Sequence, residues 1–195
     1  MKKPIIALIL AAVILFGLSA VLNGTAKANA QQAHLTLMQT VLPGATEVTV
    51  ELYAGEDANI RSVHKAENGY VIETVTYGYA GEITMVIGVS NEGKVTGLVA
   101  LEAHETPGLG NEILTDHVFL SQFLNGSGSF AIGTSGADAF SSATGEAEAE
   151  TGTEVTVDGI TGATVTSKAV ARCVNSAVGY VTGADAVSAA TTWGG

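Results

Sequence analysis

Asp158-Gly159-Ile160-Thr161-Gly162-Ala163-Thr164-Val165-Thr166-Ser167-Lys168 reads as a tight turn that feeds straight into a helix. Gly159 and Gly162 admit backbone conformations that a Cβ resists. Behind the turn, Val170, Cys173, Val174, Ala177, Val178 and Val181 recur at i, i+3, i+4, i+7, i+8 and i+11. That spacing makes one apolar face of an amphipathic helix. The expected helix spans Ser167 to Tyr180 and packs on a sheet. Thr161, Thr164, Thr166 and Ser167 crowd their hydroxyls at its N-terminus, where free N–H groups and the macrodipole favour an anion. Spacing alone leaves two readings open. One is a Thr-rich cap, with Thr164 best placed to accept from an N–H two or three residues on. The other is an anion site.

Upstream, the signal is that of strands. Val48 to Leu52 alternates, Tyr70 to Tyr77 is β-branched and aromatic behind the turn Asn68-Gly69, and Ile83–Val89 and Val95–Leu101 flank a hairpin connection at Asn91–Lys94. Glu154 to Val157 alternates as a last strand that delivers Asp158 into the turn. Runs of strands followed by a long helix predict an α+β domain, a curved antiparallel sheet packed by helices. Between the strands lie His104-Glu105-Thr106-Pro107-Gly108-Leu109-Gly110, a Pro/Gly loop, and Asn111–Leu124, a short helix with Leu120, Phe123 and Leu124 as core. Residues 125–150, rich in Gly, Ser and Ala and ending in Glu146, Glu148 and Glu150, read as a flexible surface insertion.

At the other end, Lys2 and Lys3 precede an uncharged apolar run from Ile5 to Leu22, nearly long enough to span a bilayer core as one transmembrane helix. Ala28-Asn29-Ala30 resembles a signal-peptidase site, but the run exceeds the usual signal core, which favours a retained anchor. Either way, the basic start stays cytoplasmic and the remainder is exported. The expected organisation is therefore an anchor over 1–22, a stalk helix over 23–45, a domain over 46–184 and a tail over 185–195. In the stalk, Ala33, Leu37, Met38, Val41 and Leu42 keep helical spacing before Pro43-Gly44 stops it.

Composition narrows the function. With 19 acidic against 8 basic residues the net charge is −11, and no basic cluster follows the first three residues, so nucleic-acid binding is not expected. The one cysteine, Cys173, lies on the apolar helix face as a small core residue, and no disulfide can form within the chain. His34, His64, His104 and His117 show no metal-ligand spacing. No nucleophile triad, Walker loop or dinucleotide fingerprint is present.

Thr161-Gly162-Ala163-Thr164-Val165-Thr166 resembles the Ser/Thr-Gly-Ala-Ser/Thr-x-Ser/Thr motif of the FMN-binding domain family. That domain occurs in the G subunit of the Rnf ferredoxin:NAD oxidoreductase and in the C subunit of the sodium-pumping quinone reductase. Glu105-Thr106-Pro107-Gly108-Leu109-Gly110 is similar to the family's second signature, a loop that lies against the flavin ring. The resemblance implies FMN bound covalently, through a phosphoester, to the last hydroxyl of the motif, here Thr166. It places Glu105, Thr106, Gly108 and Leu109 along the ring, and Thr161, Gly162, Ala163 and Thr164 in the turn beneath, with Ser167 adjoining. Lys168 is either a partner for the phosphodiester charge or a solvated surface lysine. A threonine hydroxyl is a poor nucleophile unaided, and the motif holds no base, so the resemblance implies a separate Mg²⁺-dependent flavin transferase that moves FMN from FAD.

The function implied is that of a membrane-anchored, single-pass flavoprotein electron carrier. It is a redox subunit rather than a complete enzyme, with its domain on the extracytoplasmic side and other membrane subunits of an Rnf-type complex as partners. The alternatives are a stand-alone extracytoplasmic FMN-binding protein, the quinone-reductase C subunit, and a non-redox anchored module whose Thr-rich turn is only a cap.

Overall fold

The computed structural model describes residues 32–108, 110–133 and 154–183. The expected anchor, the signal-peptidase-like triplet, the first part of the stalk, Leu109, residues 134–150 of the insertion and the tail lie outside them. The chain divides into units 1–37 and 38–195. In the first, residues 32–37 are helical, and the Thr36 hydroxyl donates to the Gln32 carbonyl one turn back (2.8 Å). No helix among the described residues is long and apolar enough to cross a membrane.

The second unit opens with the last turn of that helix (α1, residues 32–41), closed by Leu42 N–H donating to Met38 O (2.8 Å) and ended at Gly44, whose φ is +85°. Five strands follow as an antiparallel meander in sequence order: β1 (Thr49–Glu51), β2 (Ile60–Ala66), β3 (Gly69–Tyr77), β4 (Glu82–Ser90) and β5 (Val95–Ala103). The α+β class is as expected from the sequence. β2 is not legible there. Its core residues, Ile60 and Val63, are three positions apart, because a register shift between Ile60 and Ser62 breaks the two-residue period, and Ala66 is buried at the far end of the strand. β1 is shorter than the alternation suggests and exposed throughout.

β4 is buried along its length because both faces are covered. On one face Ile83, Met85, Ile87 and Val89 join the main core with the long C-terminal helix. The other face carries Gly88, which lies against the backbone of Val41 at the end of α1.

Two short helices, α2 (Gly110–Ile113) and α3 (His117–Ser121), replace the single helix expected over Asn111–Leu124. Asp116 breaks it. Its carboxylate accepts from the N–H groups of Val118 (2.8 Å) and Phe119 (3.3 Å), which starts a new helix. Phe119 and Phe123 become core, while Leu124 stays 39% exposed.

The insertion expected from 125 begins later. Ser129–Gly133 form β6, which pairs in parallel with β7 (Glu154–Asp158) as a separate two-stranded sheet. Parallel pairing requires a long return connection, supplied by residues 134–153. Phe130 anchors β6 against Phe123, with ring centroids 5.4 Å apart.

The last helix, α4 (Thr164–Thr182), packs on β3, β4 and β6 and ends at Gly183 in the left-handed conformation. Its face is the one read from the sequence: Val170, Cys173, Val174, Ala177 and Val178 are buried. Burial pushes the Cys173 thiol up to about 11, so it stays protonated at neutral pH and serves as a core residue. From the side of α4, Asn175 accepts from Phe130 N–H (2.8 Å) and donates to Phe130 O (3.0 Å), satisfying the edge of β6. Asn175→Leu strands both groups and is expected to cost about 2 kcal/mol, read as a lower urea midpoint at unchanged m-value.

Candidate functional site

β7 is held at its end by Gln122, which accepts from Asp158 N–H (2.8 Å) and donates to Asp158 O (3.3 Å). Gly159 N–H then donates to Gly133 O (3.1 Å), and the chain turns. Ala163 N–H closes the turn on Ile160 O (3.0 Å), with Gly162 at φ +85° in its third position. The helix therefore starts at Thr164, three residues before the expected Ser167.

This overturns the reading of Thr164 as the cap. Ala163 occupies the cap position and offers no side-chain hydrogen bond. The hydroxyl that organises the turn belongs to Ser167, fully buried, which accepts from Ile160 N–H (3.3 Å) and donates to Ala163 O (3.0 Å). Ser167→Ala is expected to destabilise by about 1–2 kcal/mol. Thr164→Ala should stay within about 0.5 kcal/mol of wild type. Thermal or chemical denaturation of the two variants checks the ordering.

Above the turn lies a cleft of about 560 Å³, within the roughly 300–1,000 Å³ usual for small-molecule sites. Tyr79, Glu105, Thr106, Gly110, Gly162, Ala163, Thr164, Val165 and Thr166 line it. The fold thus brings together Glu105 and Thr106 from the loop after β5 with the turn and first residues of α4. Thr166 is 1% exposed, so its hydroxyl meets the surroundings only through this cleft. Glu105 is also buried (8% exposed), and its carboxylate accepts from Tyr79 N–H (2.7 Å) and Ala80 N–H (3.4 Å). A Cβ on Gly110 would sit 2.5 Å from Glu105 Oε2 and 2.9 Å from Thr166 Oγ1, so glycine keeps that corner of the cleft open.

Other expected site residues stand apart from the walls. Thr161 is exposed in the turn, and Ser167 lies buried beneath it. Lys168 is exposed on α4, two positions beyond Thr166. Two positions turn a helix by about 200°, so Lys168 leaves α4 on another side from Thr166 and is not part of the cleft lining. Gly108 has φ +80° with open space around it, and Leu109 lies outside the described residues. Tyr79, Gly110 and Val165 are walls that sequence reading missed. For Tyr79 the available signal was an aromatic set between Gly78 and Gly81 at the tip of a hairpin.

The arrangement suits a small ligand that carries a phosphate. The first turn of a 19-residue helix, with no side-chain cap, offers its N–H groups beside the Thr166 hydroxyl. The rest of the wall is glycine, Ala163 and Val165, apart from Tyr79, Glu105 and the threonine hydroxyls.

The family model of the FMN-binding domain matches residues 78–179. The G subunit of the ion-translocating oxidoreductase complex of Photorhabdus laumondii is 33% identical over 133 residues, covering 59% of this chain and 64% of that protein. The G subunit of the Na(+)-translocating ferredoxin:NAD(+) oxidoreductase complex of Acetobacterium woodii is 34% identical over 111 residues, 56% of this chain and 47% of that one. The chain thus spans about half to two thirds of the length of these relatives. The crystal structure of Shewanella oneidensis NqrC aligns with a TM-score of 0.44 at 20% identity, over 70% of this chain and 64% of that one.

Proposed function

The chain belongs to the FMN-binding domain family, and from that premise we propose that it is a membrane-anchored electron carrier with FMN esterified to Thr166, working as the G-type subunit of an Rnf-type ion-translocating oxidoreductase. The observation that carries the proposal is the convergence of the two signatures on one cleft, with the Thr166 hydroxyl opening into it beside an uncapped helix N-terminus. Two relatives are named as G subunits of such complexes. When bound, FMN supplies one- and two-electron chemistry that no side chain here can perform.

The chain's own residues then have separate tasks. Thr166 would give the ester oxygen: a flavin transferase would form its O–P bond as the phosphoanhydride of FAD breaks, with AMP as the leaving group and the hydroxyl proton released. The N–H groups of the first turn of α4, which no side chain caps, would hold the remaining phosphodiester charge. Gly110 leaves room for it. Glu105 holds the tip of the β3–β4 hairpin through Tyr79 N–H and Ala80 N–H. Ile5–Leu22 remains as the anchor and keeps the domain at the extracytoplasmic membrane surface, next to the other membrane subunits.

Co-expression with a flavin transferase is the test. The purified protein should be yellow, with an intact mass raised by one FMN less one water. A colourless protein of unmodified mass would support the non-redox module instead. Mild-detergent purification from native membranes should bring other membrane subunits along. A flavoprotein recovered alone would support the stand-alone carrier. N-terminal sequencing that began at Gln31 would overturn the anchor.

A further inference from the structure

We propose that Tyr79 is the stacking wall for the flavin ring, and that Glu105 is the positioning residue that holds it there. The inference rests on the reading above, FMN esterified to Thr166 in this cleft.

Tyr79 stands at the tip of the β3–β4 hairpin, across the cleft from the turn that carries Thr166. Its side chain is 76% exposed. Tyr77 is about as exposed, at 71%, but does not line the cleft, and several other aromatic groups pack on one another. Tyr53 and Tyr70 each pack edge-on against Tyr180, at 5.9 and 5.8 Å, and Phe119 packs edge-on against Phe123 at 5.5 Å. Tyr79 lines a cleft that, Glu105 apart, is bounded by glycine, alanine, threonine and Val165, itself 47% exposed.

The backbone beneath the ring is held firmly. Gly78 N–H donates to Gly81 O (2.8 Å), and the buried Glu105 carboxylate takes Tyr79 N–H at 2.7 Å and reaches Ala80 N–H at 3.4 Å. The Glu105 carboxylate lies where a Cβ on Gly78 would be, so glycine at 78 is what lets the carboxylate reach the tip. Burying a carboxylate is costly unless its oxygens are satisfied. Here its bonds go to an exposed two-residue tip, and the consequence is a fixed backbone position from which one aromatic side chain reaches the cleft wall. A flat π-system of isoalloxazine size meets an aromatic ring favourably in offset-stacked geometry. Tyrosine adds an oxidisable electron donor in contact with the ring, which quenches flavin emission.

The experiment uses the full-length protein flavinylated by co-expression with a flavin transferase, with attachment confirmed by intact mass. Time-resolved flavin fluorescence is then read. Wild type should decay fast. Tyr79→Ala should lengthen the mean lifetime several-fold with the adduct retained, and Tyr79→Trp, which restores a stacking donor, should return it to the short value. Tyr77→Ala, which removes an exposed tyrosine outside the wall, should leave the decay as in wild type. Glu105→Leu should lengthen the lifetime as Tyr79→Ala does, and Glu105→Gln, which keeps an acceptor for Tyr79 N–H, should stay near wild type. Equal lifetimes in wild type and Tyr79→Ala, both carrying the adduct, would overturn the stacking. A Glu105→Leu protein with the adduct and a wild-type decay would overturn the positioning role. Absence of the adduct from wild type would overturn the functional reading itself, and the proposal with it.

Discussion

Thr166→Ala is expected to give a folded protein with no covalent flavin. Thr166 is the third residue of α4, 1% exposed, with its hydroxyl at the corner of the cleft kept open by Gly110. With FMN esterified at this oxygen as proposed, its removal would leave no ester bond to form, so the expected effect on attachment is all-or-none. The effect on stability is small. Alanine gains about 0.5 kcal/mol in helix propensity over threonine, and the lost buried methyl costs about 1 kcal/mol. Thr161 and Thr164 compete for the role in the sequence. In the structure Thr161 is exposed and off the cleft wall, and Thr164 opens the helix on its floor. Thr161→Ala and Thr164→Ala should both retain the adduct. The measurement is flavin fluorescence in a denaturing gel, with mass mapping of the peptide from Glu154 to Lys168. Covalent flavin in Thr166→Ala, or an adduct mapped to Thr161 or Thr164, would refute the assignment.

Gly88→Val should lower stability more than any of the other substitutions above, by about 3 kcal/mol or more. Gly88 and Gly97 face each other across β4 and β5. A Cβ on Gly88 would overlap the carbonyl of Val41, and one on Gly97 would sit 2.7 Å from the Val41 Cα and carbonyl oxygen. The same carbonyl accepts from the Thr96 hydroxyl at 2.6 Å. The two glycines thus form the seat on which the end of α1 rests, and the atoms opposite are backbone, which cannot move aside as a side chain can. Urea denaturation checks the prediction, and a loss below about 1 kcal/mol would mean that α1 shifts freely over the sheet. Gly88 lies about 20 Å along β4 from the hairpin tip, so the folded fraction should still accept flavin.

Some of this was legible in the chain because it depends on neighbours in sequence. The apolar face of α4 follows from a period of 3.6 that Val170, Cys173, Val174, Ala177 and Val178 carry by themselves, and all five are buried. β3, β4 and β5 announce themselves by β-branched runs between turns. The turn at Gly162 and the crowd of hydroxyls after it are local chemistry, and their resemblance to a known motif pointed to the FMN-binding domain family, whose model matches residues 78–179. Elsewhere the local signal was overruled. β2 lost its alternation to a bulge, Asp116 split one helix into two, and β6 looked like surface because only Phe130 in it is fully buried.

What only the tertiary structure decided is which distant residues meet. Nothing near Thr164 in sequence says that Ser167 rather than Thr164 ties the turn, since both are hydroxyls at plausible offsets; the buried position of one of them chooses. Tyr79, Glu105, Gly110 and Thr166 share a cleft because β3 pairs with β4, β4 with β5, and α4 crosses that sheet. The glycines at 78, 88, 97 and 110 are ordinary small residues in the sequence. Each becomes indispensable only when a carboxylate, a helix end or a hydroxyl arrives from far along the chain at the place where its side chain would be. Local periodicity is a property of a segment and can be read from it, whereas a steric vacancy is a property of two segments and exists only once they are packed.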